Sequence, residues 1–302
     1  NGCVFEKDKQ GFLPKLMEKM YNDRVVYKNM MIDAKQKYEE NKTSDLEKEI
    51  ARCHNMQLAK KIQLNSAYGA LGNIYFRWFD PKFAEAITLS GQLSIRWVEK
   101  YVNKFLNDKF NTENEDYVIA SDTDSIYVKF DKLVKQECEG MQVEEVVDWL
   151  DEYCSKILEP FIEKRYQDLA KYVNAYDQKM KMKREAIADK GIWTAKKHYI
   201  LNVYNNEGVQ YKEPKIKIIG IEAVRSSTPS SCRESIKNAI SVIMNKTEDD
   251  IINYVKKFRE EFNKLPFEQI AFPRSVRGLN KYKDSSRIYT KGTPIHVKAC
   301  LL

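Results

Sequence analysis

Apolar residues recur at helical spacing over long stretches of this chain and give way to short β-branched or aromatic runs in only a few places. From Pro14 to about Glu40 there is no Gly and no further Pro, and a second helical run reaches about Leu71. Residues 14–72 therefore predict two long helices, with Pro14 at a first helical position. The polar break Asn41-Lys-Thr-Ser44 separates them, and Ser44-Asp-Leu-Glu47 fits a capping box with Ser44 as N-cap. Two such helices joined by a short turn form an antiparallel helical hairpin. Residues 82–107 predict another helix, with Ala84, Ile87, Leu89, Leu93, Trp97 and Val98 among its apolar positions. A helical stretch from about Val143 to Tyr176 is interrupted at Pro160, and residues from Thr228 to about Lys264 are helical again, capped by Ser230 or Ser231. Segments 184–188, 198–204 and 214–222 read as strands. Residues 266–302 carry Pro, Gly and basic residues with little periodicity. Helices grouped around a few antiparallel strands make an α+β layout.

Within this pattern Tyr117-Val-Ile-Ala-Ser-Asp122-Thr-Asp124-Ser-Ile-Tyr-Val128 predicts two short strands around a polar turn. In extended backbone, residues i and i+2 face the same way, so Asp122 and Asp124 converge on one point. Convergent carboxylates suit a hard divalent cation such as Mg2+. The alternative is an ordinary turn, in which Asp and Ser are common.

Composition narrows the function classes. The 302 residues are 43% hydrophobic and 12% aromatic, enough for a sizeable core in about two domains. No run of about 18 apolar residues occurs, so no transmembrane helix or membrane partner is expected. The N-terminal residues are polar and lack a signal-peptide core, and the chain does not begin with Met, so a fragment or processed product is expected. Six scattered Cys without a CxxC pair, and three His, argue against a zinc site or a disulfide framework and fit a reducing, cytoplasmic setting. A net charge of +7 is mild support for a polyanionic partner. The absence of GxGxxG and GxxxxGK[ST] argues against a dinucleotide fold or a P-loop enzyme.

A second constellation ends the second long helix. Lys61, Asn65 and Tyr68 stand at i, i+4 and i+7 and share one face. On the facing helix Arg24 and Lys28 add two cations at i, i+4. Three cations, an amide and a ring are what a nucleoside triphosphate requires. A solvated basic face is the plain alternative.

Lys61-x-x-x-Asn65-Ser66-x-Tyr68-Gly69 followed by Asp122-Thr-Asp124-Ser125 resembles motifs B and C of the family B DNA polymerases, and Lys196-Lys197-His198-Tyr199 resembles their KKRY motif. Tyr68-Gly-Ala-Leu-Gly-Asn73 and Ser226-Ser-Thr-Pro229 are most similar to the replicative polymerases of T-even-type bacteriophages. The resemblance covers essentially the whole chain in one order. It implies a right-hand polymerase architecture: residues 1–10 the end of an upstream palm segment, 11–75 helical-hairpin fingers, 76–225 palm with an antiparallel sheet, and 226–302 a partial helical thumb. The implied activity is template-directed addition of dNTPs to the 3′ end of a primer on primer-template DNA, with two Mg2+ ions or Mn2+ in their place.

By the same resemblance, Asp122 and Asp124 are the catalytic carboxylates. Asp124 would hold a metal, Asp122 would hold it directly or through a neighbour, and Glu185 is an auxiliary carboxylate. Arg24, Lys28 and Lys61 would hold the β- and γ-phosphates, and Asn65 and Tyr68 would line the pocket of the nascent base pair. Lys196, Lys197, His198 and Tyr199 would contact DNA backbone, in a stretch, residues 181–217, that holds nine Lys or Arg against four Asp or Glu. His198 stands where the family motif has Arg, and Lys183 stands where an acidic residue is expected before Arg184-Glu185-Ala. Motif A is absent from this chain, so the resemblance implies an upstream polymerase segment as partner, with a sliding clamp as a further one. Two other readings stand beside it: a DNA-binding subunit of a split polymerase, and a metal-dependent nuclease using Asp122 and Asp124, which leaves Lys61 to Gly69 unexplained.

Overall fold

A computed structural model describes residues 1–284 and 286–302. The chain divides into two compact units, Asn1–Asp189 with Val203–Lys215, and Lys190–Asn202 with Ile216–Leu302. The first opens on α1 (Phe12–Glu40) and α2 (Ser44–Leu71). Pro14 is the third residue of α1 rather than the first, where its missing N–H is still among the groups that no helical carbonyl would meet. The cap of α2 also sits one residue earlier than Ser44. Thr43 Oγ1 accepts from Leu46 N at 3.3 Å, and Glu47 accepts from the Tyr38 hydroxyl instead of closing a capping box. Asp23–Lys60 at 3.1 Å and Tyr38–Glu47 nearer the turn pin the two helices antiparallel.

Helix α3 (Pro81–Phe110) starts where Asp80 accepts from Lys82 N and Pro81 supplies a ready-made helical φ. Val98, Val102 and Leu106, one per turn, bury its inner face. They pack on β1 (Val118–Asp122) through Val118, on partly buried Ile126 and Val128 of β2 (Ser125–Val128), and on the helices that follow. Each such fully buried aliphatic side chain contributes about 1.5–3 kcal/mol. Next come α4 (Asp131–Glu137), α5 (Val143–Tyr153), a π-helical turn (Cys154–Leu158) and α6 (Glu159–Tyr172). The π turn is the interruption expected at Pro160, whose ring cannot follow an unbroken α-helix. Ile162, Tyr166 and Leu169 of α6 complete the core beneath the β1–β2 hairpin.

A three-stranded sheet of order β3-β4-β5 follows, from Ala186–Ala195, His198–Asn206 and Val209–Ile219. Two-residue connections between hydrogen-bonded neighbours make it antiparallel. Strands β3 and β5 are longer than their aromatic and β-branched stretches suggest. Pro214 is tolerated because β5 is an edge strand, whose outward N–H has no ladder partner. The β4–β5 turn, Glu207-Gly208, has φ of +55° and +90°, as a type I′ hairpin turn requires.

In the second unit, Ile200 packs with Ile240 and Met244 of α7 (Ser230–Asn245). Ser230 and Ser231 lie inside α7, whose N-cap is Pro229. Thr247 caps α8 (Glu248–Phe262) in a capping box with Asp250, so the helical stretch expected through Lys264 is two helices. Two short helices, α9 (Phe267–Ile270) and α10 (Ile295–Leu301), lie in the C-terminal residues. The observed layout is α+β, helices with small antiparallel sheets. Among the described residues no helix is long and apolar enough to cross a membrane.

Candidate active-site elements

The β1–β2 hairpin carries both candidate carboxylates, but not by simple strand alternation. Asp122 is the last residue of β1 and pairs with Ser125, while Thr123 and Asp124 form a two-residue turn. Asp124 N donates to Asp122 O at 2.6 Å, Thr123 Oγ1 to Asp122 Oδ1 at 2.9 Å, and Ser125 Oγ to Asp122 O at 3.1 Å. Asp124 is exposed at the tip and Asp122 is half-buried. Thr123 has φ of +56°, a left-handed conformation that is an outlier for a β-branched residue. Strain of that kind costs about 1–3 kcal/mol and collects at functional sites.

Below the turn, burial pushes the Tyr166 hydroxyl up to about 12, and the negative charge of Asp124 adds to the shift. That places the Asp124 carboxylate within electrostatic reach of α6. Carboxylate oxygens are the donors Mg2+ takes, and Mg2+ is commonly held by one or two carboxylates with substrate phosphates and water completing its shell. Asp122 and Asp124 fit that donor set. Among the described residues, no group of three or more His, Cys, Asp or Glu comes together as a metal cluster, Glu185 included. Glu185 precedes β3 with an exposed side chain, and its carbonyl accepts from Glu207 N.

The α1–α2 pair presents the second constellation. Lys61, Asn65 and Tyr68 lie in unbroken helix at one face, all exposed. Lys60 is held by Asp23, which leaves the neighbouring Lys61 as the cation of the open face. Arg24 is half-buried, its Nε sequestered without a hydrogen-bond partner among the described residues. Lys28 Nζ is engaged by Glu207 Oε1 at 2.6 Å, a pair only about a third exposed (33% and 26%). Gln36 Oε1 accepts from Gln210 N at 3.1 Å, and Glu39 pairs with Lys215 at 2.5 Å, so α1 lies along the β4–β5 turn with Lys28 already occupied.

In the second unit Lys196 and Lys197 form the exposed β3–β4 turn, with Lys197 at φ +62°. His198 is half-buried, and Tyr199 is buried, its ring stacked on Trp193 at 6.2 Å. Of the four residues expected to contact DNA, Lys196 and Lys197 are the exposed ones. Sequence reasoning missed Arg225. Its Nη2 lies 3.3 Å from His198 Nε2, and its guanidinium donates to Gly220 O at 3.0 and 3.2 Å. The signal was present in the chain: a guanidinium close in sequence to the end of the strand that pairs with β4.

Arg184, embedded in the Lys183-Arg-Glu185 stretch, is structural. It donates to Asp151 Oδ1 at 2.9 Å and Asn205 Oδ1 at 2.6 Å, tying the start of β3 to α5.

Comparison with known proteins gives the family of the chain. Residues 1–155 match the profile of DNA polymerase family B. The chain is 36% identical over 269 residues to the DNA-directed DNA polymerase of Enterobacteria phage T4, covering 85% of this chain and 30% of that protein. It is 32% identical to that of Escherichia phage RB69, covering 100% of this chain and 39% of that protein. A DNA polymerase of Pyrococcus glycovorans is 26% identical over 92% of the chain and 30% of its own length. The chain thus spans about a third of the length of the curated relatives it matches. With the family profile matched over half of its length, across the Lys61–Gly69 helix end and the Asp122–Asp124 hairpin, the chain belongs to DNA polymerase family B.

Proposed function

We propose that this chain carries the nucleotide-binding and metal-holding elements of a polymerase that adds deoxynucleotides to a primer 3′ end under the direction of a DNA template. The observation that carries the reading is the strained Thr123-Asp124 turn, which holds two carboxylates at one hairpin tip in a chain that also presents Lys61, Asn65 and Tyr68 on one helix face. In this reading, residues 11–75 act as fingers, 76–225 as palm and 226–302 as part of a thumb. Mg2+ held at Asp122 and Asp124 would activate the primer 3′-hydroxyl and take up charge on the departing pyrophosphate.

The remaining work falls to the chain's own side chains. Lys61 and Arg24 hold the triphosphate as charge-assisted donors, fixing the α-phosphate for in-line attack. Asn65 and Tyr68 present an amide edge and a flat ring to the incoming base. Lys28 joins the phosphate grip only when it leaves Glu207, which couples nucleotide binding to a movement of α1 away from the β4–β5 turn, a gating step. Lys196 and Lys197 meet DNA phosphates, positioning the duplex without reading its sequence, and Arg225 supplies a guanidinium beside His198.

Templated single-nucleotide incorporation by the polymerase containing this chain tests the reading. The correct dNTP is incorporated opposite its template base, with Mg2+ required. Lys61→Ala removes a charge-assisted bond of about 1.5–3 kcal/mol, so the half-saturating dNTP concentration rises about 10- to 100-fold. Unchanged dNTP dependence in Lys61→Ala removes the helix face from the account.

A further inference from the structure

Among the described residues, the β1–β2 hairpin is a two-stranded sheet, and the backbone leading into β1 is met from the β2 side by Lys129 N, which donates to Tyr117 O at 2.8 Å, while its own N–H groups are met by side chains of α3. Asn103 Oδ1 accepts from Tyr117 N and from Val118 N, each at 2.9 Å, and its Nδ2 donates to Asp116 Oδ1 at 2.8 Å. One helical turn on, Asn107 Oδ1 accepts from Glu115 N at 3.0 Å and Thr112 Oγ1 at 2.9 Å. Its Nδ2 donates to the carbonyls of Glu115 at 2.8 Å and Asn103 at 2.9 Å. Every donor and acceptor of the Asn107 amide is used. The α3 carbonyl of the same residue accepts from Asn111 N and Thr112 N, so the helix end and the strand start share one anchor.

What this anchor fixes is register. Just past it, β1 carries a bulge: Val118 pairs with Val128, Ala120 with Tyr127, and Ile119 is the extra residue. From there the ladder runs without irregularity to Asp122↔Ser125. A bulge re-aims the side chains beyond it, and a slip of one residue turns every side chain to the other face. At the far end, the tip is a strained two-residue turn with no partner strand of its own among the described residues, so the place of the carboxylates depends on where the near end is held. Asp122 lies four residues from Val118, about 13 Å along an extended strand.

We infer that Asn103 and Asn107 are positioning residues for Asp122 and Asp124. By holding the Glu115–Val118 backbone on α3, they set the register in which β1 delivers both carboxylates to one metal. The inference rests on the metal role proposed for the hairpin. It adds two amides that touch neither metal nor substrate and act through the backbone, as outer partners of metal ligands do.

Mn2+ binding to the 302-residue chain, read by electron paramagnetic resonance, tests it. The variants are Asp124→Asn, Asn103→Leu, Asp116→Ala and the exchange Asn103→Asp with Asp116→Asn, each first shown to be folded by a circular-dichroism melt. Asp124→Asn loses the bound signal. Asn103→Leu, read well below its melting temperature, binds about 10- to 100-fold more weakly. The exchange keeps an oxygen acceptor for the Tyr117 and Val118 N–H groups and reverses the side-chain bond, so that residue 116 donates and residue 103 accepts, and it restores wild-type affinity. Asp116→Ala removes only the group that orients the Asn103 amide. It serves if Asn103→Leu does not fold, and it weakens binding in the same direction. Folded Asn103→Leu or Asp116→Ala with wild-type Mn2+ affinity overturns the inference and leaves the functional reading standing. Wild type and Asp124→Asn binding alike overturns the functional reading, and the inference with it.

Discussion

Replacing Gly220 with Ala puts two separate costs on one backbone position. Gly220 follows β5 at φ +71°, and a Cβ there would lie 2.1 Å from the Lys197 carbonyl oxygen and 2.6 Å from His198 Cδ2. The left-handed conformation alone costs an L-residue about 1–2 kcal/mol. The contact adds to it, because the nearest atom is backbone and cannot rotate away. Restoring a carbon–oxygen separation of about 3.3 Å requires the Lys196-Lys197 turn to retreat by roughly 1 Å. A movement of that size breaks at least one hydrogen bond of the turn, at about 1 kcal/mol each. Gly220→Ala is therefore expected to lose about 3 kcal/mol or more, at the upper end of ordinary single substitutions. Gly208→Ala is the matched control: it has φ +90° and no atom within 4 Å of the added Cβ, so only the conformational cost applies, about 1–2 kcal/mol. Urea titration of the two variants and the wild type measures both losses, and amide hydrogen exchange shows whether β3 and β4 open first in Gly220→Ala. Equal losses in the two variants would falsify the close approach of Gly220 to the Lys197 carbonyl, and with it the placement of that turn.

Two further outcomes follow from ionisation and burial. The hydrogen bond from Lys132 holds Glu115 below its ordinary value of 4.5 and raises Lys132 above 10.5. The stability contributed by the carboxylate is therefore present above pH 4.5 and lost as pH falls through the folded value, and that of Lys132 is present below pH 10.5 and lost as pH rises. Thermal melts of Glu115→Gln should show a larger loss at pH 7 than at pH 3, and equal losses at the two values would contradict the pairing. Burial pushes the Cys154 thiol up to about 11 and raises Cys53 and Cys138, while Cys300 is exposed. A thiol reagent such as Ellman's at pH 8 should label Cys300 first and reach Cys53, Cys138 and Cys154 only in denaturant; early labelling of Cys154 would contradict the packing of the π turn.

The long elements were legible because their signals are local. The polar break at Asn41–Thr43 between two long runs, with Pro only at Pro14 in the first turn of α1 and Gly only at Gly69 near the end of α2, is sufficient to mark α1 and α2, and Pro160 marks the π turn by removing an N–H. Caps were read one position late at Ser44 because Thr43 and Ser44 are both competent, and the choice depends on Tyr38 drawing Glu47 away. The hairpin was legible as a hairpin. Simple strand alternation does not describe its carboxylates, however, because nothing in Asp122-Thr-Asp124 announces a Thr at positive φ; that conformation goes with the two-residue turn that pairs Asp122 with Ser125. Helix α4, at seven residues, is too short to show a period. The Lys28–Glu207 pair joins residues far apart in the chain and could be found only from the fold. The buried side of Tyr199 was likewise hidden, since an aromatic after three basic residues reads equally well as a DNA contact or as core.

The most direct test of the account is Mg2+-dependent primer extension by the polymerase containing this chain, wild type against Asp124→Asn, at matched folding and DNA affinity. If the hairpin tip holds the metal for nucleotidyl transfer, Asp124→Asn falls to background while primer-template binding persists. Extension by Asp124→Asn at the wild-type rate would contradict the account.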